Sequence, residues 1–532
     1  MPFDNLEQCA MPSNYPSIFN DVIGPVMRGP SSSHCAAACR IGLLARDLME
    51  GRFEEVVIQY DPKGSLAPTH ESQGSDMGLC GGLLGWQPDD ERMVESARYL
   101  EQAGVRVRIE IVDLGAGHPN TYKLILRNTD GSHEMIALST GGGMVEVTAI
   151  DGVPLAIAGD YFETLVFADS HGKAIGEWLG RVANVDEVVV RRGAGRLVII
   201  EVRSQRRLDD DVCRRLRARE GVRAVRCLAP VLPSLSRKGL AVPFVTCEEM
   251  LAYNRGKDLS LWELAVRYES ARGGISTAAV FDRMKNMVGL MRKSVAEGLQ
   301  GTVYQNRILG CQSGAYQTRL QGGRLLDAGL LNRMILYTTA LMEVKSAMGV
   351  IVAAPTAGAC AGLPGACLGA ADGMQRSEDD MTQAMLAAGL IGVFICARST
   401  FAAEVCGCQA ECGAGSGMAA AALAILAHGT LPQTIAAASL ALQNILGMVC
   451  DPVAGRVEVP CLGKNVLAAA NALACANMAL ADFDPVIPLD EVIGAMDQVG
   501  RSLPHELRCT ALGGLSVTKT SRQIEKKLAG KK

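Results

Sequence analysis

Met381 to Leu426, MTQAMLAAGLIGVFICARSTFAAEVCGCQAECGAGSGMAAAALAIL, decides what the C-terminal half of this chain is. The run is apolar enough to raise the question of a membrane span, but Arg398, Glu404 and Glu411 interrupt it and Gly and Ala crowd it. Such interruptions are costly in a bilayer, whereas small residues let helices approach closely, so the run reads as helix buried in a soluble bundle. A tight all-α domain spanning 239–520 is the expectation, with glycine-rich interruptions at 355–365 and 406–417. Breaks of that kind are where chemistry sits on a helical scaffold.

Towards the N-terminus the period changes. Thr164-Leu165-Val166-Phe167 reads as a strand, Gly172 to Arg181 as a helix, and Val188 to Arg191 and Arg196 to Val202 as a strand pair around Gly193. Asp209 to Arg219 then reads as a helix and Val222 to Cys227 as a strand, the β-α-β-β-α-β order of a ferredoxin-like unit over 160–230. Upstream, 15–159 mixes strands at Val56 to Tyr60 and Val105 to Ile111 with helices at Cys35 to Met49 and Arg92 to Ala103. The fold class is therefore multidomain α+β: an N-terminal α+β domain, a small ferredoxin-like domain and a C-terminal all-α domain.

Composition narrows the function. The chain has 532 residues, 48% hydrophobic and 20% charged, which suits a globular protein of about three or four domains. A formal net charge of -4 supplies no general basic surface, so nucleic acid is not an expected partner, and neither is a membrane. Met1 to Gln8 lacks the basic start and apolar run of a signal peptide, which points to the cytoplasm. In that reducing compartment 18 cysteines are better read as thiols and metal ligands than as bridges.

Three of those cysteines stand out. Cys408 lies in Glu404-Val405-Cys406-Gly407-Cys408-Gln409-Ala410-Glu411, and Cys450 and Cys461 bracket the segment from Asp451 to Pro460. They look like three ligands for a four-iron cluster, which leaves one iron open to a substrate hydroxyl or carboxylate. Their spacing fits neither the ferredoxin pattern nor a paired C-x-x-C zinc ribbon, and buried core thiols are the competing reading. A second element is Gly29-Pro30-Ser31-Ser32-Ser33-His34, just before a helical run. Hydroxyls and free N–H groups at a helix start suit a carboxylate, and His34 suits a proton; an ordinary serine cap beside a surface histidine is the plainer alternative.

Taken with Gly64-Ser65-Leu66-Ala67, Gly74-Ser75-Asp76, His118-Pro119-Asn120-Thr121 and Ser139-Thr140-Gly141-Gly142-Gly143, this element resembles the β chain of bacterial iron-sulfur L-serine dehydratase. After Ala229 to Ser234, the segments Val242-Pro243-Phe244, Met291 to Val295, Ala354-Pro355-Thr356-Ala357-Gly358, Gly407 to Glu411, Cys450 to Cys461 and Thr510 to Leu515 resemble its α chain. The whole is similar to a β-α fusion, and the small domain resembles an ACT domain, which often binds an amino acid or mediates oligomer contacts.

The resemblance implies a [4Fe-4S] cluster on Cys408, Cys450 and Cys461, with Cys408 chosen over Cys406 and Cys412 because it alone occupies the Gly-Cys-Gln frame. It also implies a small amino-acid substrate and a homodimer. Ser31, Ser32, Ser33, Asp76, Pro355, Thr356 and Gly358 would hold the substrate, and His34 would bind or orient it. The family usually carries Gly-His-Gly-Thr-Asp where this chain has Ser72-Gln73-Gly74-Ser75-Asp76. Gln73 cannot take a proton at neutral pH, so His70 or His34 inherits the role of base. The segments Gly310 to Ala315 and Cys396 to Phe401 also depart from the family pattern. Arg398 within the second suggests a guanidinium for a second carboxylate, and with it a hydro-lyase or desulfidase acting on another small acid. A non-catalytic amino-acid sensor is the reading from a different class. The chain ends at Ala529-Gly530-Lys531-Lys532 without the terminal cysteine of some one-chain relatives, and Cys509 is the remaining thiol for a resting ligand.

Overall fold

A computed structural model describes residues 15–529 except 170, 194, 196, 305 and 306. The N-terminal octapeptide and the Gly530 to Lys532 end lie outside the described residues. A short strand β1 (Val26–Met27) precedes a six-stranded sheet of β2 (Glu55–Tyr60), β3 (Arg106–Ile111), β4 (Thr121–Asn128), β5 (Gly131–Gly141), β6 (Met144–Ile150) and β7 (Val153–Ile157). The order across the sheet is β3-β2-β4-β5-β6-β7, with β2–β3 parallel and the other pairs antiparallel. The helices Ala37–Leu48 and Ser75–Leu83 supply Ile41, Leu44, Leu48, Leu79 and Leu83 to the core they share with the buried residues of this sheet. Alternation of buried and exposed positions along β4 to β7 is what a sheet with one covered face requires.

The small unit follows as β8 (Phe162–Ala168), a helix Gly172–Val182, β9 (Glu187–Arg192), β10 (Val198–Ser204), a helix Asp210–Arg217 and β11 (Val222–Leu228). Its sheet runs β11-β8-β10-β9, antiparallel throughout. Central β8 and β10 are almost wholly buried and edge β9 is not, matching the longer apolar runs in the first two. Ile175, Leu179, Val212 and Leu216 from the two helices close the core.

From Thr246 onward helices dominate, and β12 (Ile351–Val352) pairs antiparallel with β1. The helix Glu378–Arg398 is long and apolar enough to cross a membrane by length and composition, yet 78% of its most apolar window is buried within the protein. It starts at a capping box formed by Ser377 and Asp380 and runs through the centre of the largest core. The expected break at 406–417 is mostly helix instead: Gln409–Gly413 is one π-helical turn leading directly into Ala414–Leu426. Glycine serves here for close approach rather than as a breaker. A Cβ at Gly417 would lie 2.8 Å from Leu442 Cδ2 and 3.4 Å from Ala438 O of the helix Leu431–Gln443, so glycine lets these two helices pack closely.

Residues 15–27 pack into the helical core, not the sheet domain. Ile18, Phe19 and Val22 belong to that core, and buried Glu269 accepts hydrogen bonds from Ser17 Oγ at 2.6 Å and from the Ile18 N–H at 2.8 Å. Burial pushes Glu269 up to about 7 and nearby Asp21 up to about 6, from ordinary values of 4.5 and 3.8. Both acids hold their proton more tightly folded than unfolded, so their contribution to stability is full below about pH 4 and is lost as pH rises through 6 to 7. Glu269→Gln is expected to remove about 1–3 kcal/mol of the difference in urea unfolding free energy between pH 5 and pH 8, whatever it does to the absolute level.

Candidate active site

The three cysteine segments meet because each is tied to a neighbour by backbone. Gly407 has φ +70°, and a Cβ there would lie 2.8 Å from Met448 O and 2.7 Å from Leu503 Cδ1, so glycine alone fits the turn that presents Cys408. Gln409, next in the frame, accepts from the Gly447 N–H at 2.8 Å and donates Nε2 to Met496 O at 2.6 Å. The Cys450 N–H donates to Leu507 O at 2.8 Å, and the Cys509 N–H donates to Cys450 O at 3.1 Å. Cys461 opens the helix Cys461–Leu480, and Asn465 one turn on donates Nδ2 to both Cys461 O and Gly358 O at 2.8 Å.

Cys408, Cys450, Cys461 and Cys509 are all nearly excluded from solvent. Contacts with Cys408 and Cys509, and then burial, hold the Cys450 thiol well above the ordinary range, and burial raises Cys461. At Cys509 the contact with Cys450 pulls the other way, but burial and the charges of Glu404 and Glu411 leave it raised. Two cations balance this centre. Lys464 donates to Val449 O at 2.6 Å and pairs with Asp451 at 2.8 Å, and fully buried Lys345 donates to Val457 O. Among the described residues no three His, Cys, Asp or Glu side chains converge as on a single metal ion. A cubane takes its thiolates at separate corners, so a looser set of buried, unbridged thiols beside two lysines fits a cluster better than one ion.

The N-terminal domain closes over this centre. Gln73 donates Nε2 to Gly455 O at 3.1 Å and reaches Cys509 Sγ at 4.0 Å, and Ser32 Oγ accepts from the Ala357 N–H at 3.3 Å. The turn that carries Ser31, Ser33 and His34 is therefore tied through Ser32 to the Pro355 to Gly358 loop, although more than 300 positions separate them in sequence. A Cβ at Gly358 would lie 3.1 Å from Glu411 Oε2, which places that carboxylate against the same loop. His34 is buried between Ser31 Oγ at 3.1 Å and Thr69 Oγ1 at 2.9 Å, with Glu404 Oε1 3.8 Å from Nδ1. Burial and then His70 push His34 down to about 3, so it is a neutral imidazole. His70 Nδ1 pairs with Asp76 Oδ2 at 2.6 Å, and Tyr60 donates to the other Asp76 oxygen at 3.1 Å.

Two further carboxylates face inward. Burial raises Glu404, and burial together with Glu404 pushes Glu411 up to about 7. Ser139 Oγ is buried with no hydrogen-bond partner among the described residues, and the Asn120 side chain is turned toward Glu404. Asn120 is held beside Ser139 by the backbone, the Ser139 N–H donating to Asn120 O at 3.1 Å, and Ser139 Oγ stays without a partner among the described residues. Buried polar atoms are rarely left so, which marks a place for a polar ligand. Cys396, Ser399, Thr400 and Phe401 line a cavity of about 470 Å³ together with Asp21, Thr140 and Gly141, next to Ser139 in sequence.

Most residues singled out from sequence are thus brought together, with one exception. Arg398 ends its helix exposed and lines a separate groove of about 750 Å³ with Cys247 and Asp490, none of whose walls is a cysteine of the thiol centre. A guanidinium in the last helical turn stays in water because burying it unpaired is costly. The neighbouring cysteines are separated too: Cys406 Sγ faces Asp497 Oδ1 at 3.8 Å, whereas Cys412 shares its surroundings with Cys408 and Cys461. Glu404, Glu411, Lys345, Lys464 and Thr69 are functional candidates that sequence reasoning misses. A signal for the two acids is present, since they are the charges that interrupt the apolar run.

Comparison with known proteins extends this geometry. Residues 256–516 match the family described as serine dehydratase alpha chain. The probable L-serine dehydratase alpha chain of Bacillus subtilis is 35% identical over 287 residues, 54% of this chain and 96% of that protein. The probable L-serine dehydratase beta chain of the same organism is 34% identical over 207 residues, 37% of this chain and 91% of that protein. L-serine dehydratase 1 of Escherichia coli is 31% identical over 283 residues, 52% of this chain and 62% of that protein. A buried reactive centre shared by two domains, with relatives of this kind, makes the chain an enzyme of the lyase class. It belongs to the L-serine dehydratase family and carries counterparts of the alpha and beta chains in one polypeptide.

Proposed function

We propose that this enzyme converts L-serine to pyruvate and ammonia, with a [4Fe-4S] cluster held by Cys408, Cys450 and Cys461. The observation that carries the reading is the meeting of buried thiols with Ser31 to His34 and the Pro355 to Gly358 loop, brought from both halves of the chain. When bound, the cluster supplies Lewis acidity at an iron without a cysteine ligand, which draws charge from the substrate carboxylate and hydroxyl. The serine hydroxyls, Thr356 and the neighbouring backbone N–H groups orient the substrate, and neutral His34 donates or accepts one hydrogen bond without adding charge.

His70 is the base in this reading. Donating Nδ1–H to Asp76 leaves Nε2 with its lone pair free to take the Cα proton, and Asp76 stabilises the imidazolium that results. Loss of water then gives the enamine, which tautomerises and hydrolyses to pyruvate and ammonia. Gln73 is a donor to Gly455 O and fixes the domain seam. The same reading treats 15–159, 160–230 and 239–520 as β-type, ACT-like and α-type domains of a cytoplasmic homodimer. The order β11-β8-β10-β9 supports an ACT-like, ferredoxin-type middle unit.

Substrate profiling of the anaerobically reconstituted enzyme tests the substrate assignment. L-Serine is expected to be turned over and dicarboxylic analogues are not, because Arg398 stands outside the site; Arg398→Ala should leave kcat/KM for L-serine within about twofold. Preferred turnover of a dicarboxylic substrate, abolished by Arg398→Ala, would replace L-serine with another acid.

A further inference from the structure

We infer that the groove at Arg398 and the turn beside it are the surface on which a second copy of this chain docks, each copy placing its Val486 turn in the other's groove. The groove, of about 750 Å³, lies between the helices Cys247–Asn254 and Leu431–Gln443 and residues between Ala479 and Glu491. Leu251, Ile435, Ala436, Phe483 and Leu489 give it apolar walls. Phe483 is 53% exposed, and Val486, between the wall residues Pro485 and Ile487, is 81% exposed. Contiguous apolar surface of this kind marks a site of protein contact.

Val486 is held firmly in place. Its φ is +63°, a conformation that a β-branched residue rarely adopts. The Ile487 N–H closes a tight turn on Pro485 O at 2.6 Å, while Ser439 Oγ donates to Ile487 O at 2.8 Å and Gln443 Nε2 to Pro485 O at 3.0 Å. One helix thus fixes a strained turn that presents a valine to water. Strain of this kind persists only where the surroundings hold it, and it collects at functional positions. An apolar knob fixed at the rim of an apolar groove supplies both halves of one contact.

Charges on the same face name the partner. Asp482 accepts from Gln433 Nε2 at 2.8 Å, and Asp490 accepts from the Cys247 and Glu248 N–H groups at 3.1 and 2.9 Å, so both acids are satisfied within the chain. Arg398, Glu248 and Glu491 also line the groove, are exposed, and make no ion pair or hydrogen bond with any described residue. A face that carries a knob with its groove, and an unpaired cation with unpaired anions, is complementary to itself. Two-fold contact requires this, because residue i of one copy meets residue j of the other and j meets i. A foreign partner would need only one half of each pair. The inference gives a surface to the homodimer of the proposed function and rests on that part of the reading, not on the serine chemistry.

Sedimentation velocity on the full-length protein tests it. The wild type is expected to be a dimer at about 10 µM. Val486→Asp, Arg398→Glu and the pair Glu248→Arg/Glu491→Arg should each raise the dimer dissociation constant about thirtyfold or more, because each buries a charge or sets like charges against each other. All of these side chains are exposed in the single copy, so the substitutions leave the fold intact. Mixed in equal amounts, the Arg398→Glu protein and the Glu248→Arg/Glu491→Arg protein should form a dimer of one copy of each, within about threefold of the wild-type dissociation constant. Both contacts across the two-fold then join opposite charges, which happens only where one face meets itself. Undiminished dimers in all three variants, or a mixture that fails to pair, would overturn the surface and leave the homodimer standing. A monomeric wild type would overturn both and assign the face to another occupant.

Discussion

Cys408→Ala is expected to lose the iron and sulfide of the reconstituted protein and to reduce serine turnover by at least about 10³-fold, because several kcal/mol of charge withdrawal disappears with the cluster. Cys408 is the most informative of the proposed ligands to change, since its thiol contacts Cys450 and acts on both Cys412 and Cys461. Removing one small buried sulfur leaves only a small cavity, so the urea midpoint of the apoprotein should move little. Cys406→Ala is the control: that thiol faces Asp497, and iron content and turnover should survive. Full iron and sulfide in Cys408→Ala, with loss in Cys412→Ala, would reassign the ligand to Cys412.

His70→Asn is expected to lower kcat about 10² to 10⁴-fold while leaving iron and sulfide content unchanged. Asparagine keeps a donor for Asp76 but has no basic lone pair at the position of Nε2. Asp76→Asn should give a milder form of the same defect, because an amide at that position no longer fixes the tautomer or stabilises the imidazolium. Kinetic measurements on cluster-matched samples check both. A His70 variant with wild-type kcat would move the base to another group, for which Glu411, raised by burial and set against Gly358, and Glu404 beside His34 are candidates.

How much of the fold and the site is legible in the sequence depends on the range of the interactions. The strand-forming runs Thr164 to Phe167 and Arg196 to Val202, with the helix at Gly172 to Arg181 between turn signals, are local information, and β8, β10 and that helix follow them, Arg196 itself lying outside the described residues. The glycines at 406–417 mislead because a sequence pattern does not distinguish glycine as breaker from glycine as close contact. The neighbour that decides, Leu442, belongs to another helix. The docking of residues 15–27 on the helical core rests on Glu269, some 250 positions away, and has no local signature. At the site, the cysteine frame and the Ser31 to His34 motif are visible as residue types. That Arg398 faces away and that Glu411 lies against Gly358 follow only from which way each helix is turned.

The central claim is that the thiol centre and the serine site are one active site. Pyruvate release from L-serine, measured anaerobically on samples reconstituted to graded iron and sulfide content, tests it most directly. The account predicts a rate proportional to cluster content that vanishes on exposure to air. Turnover that is independent of iron and sulfide, or a full cluster with no pyruvate, would contradict it.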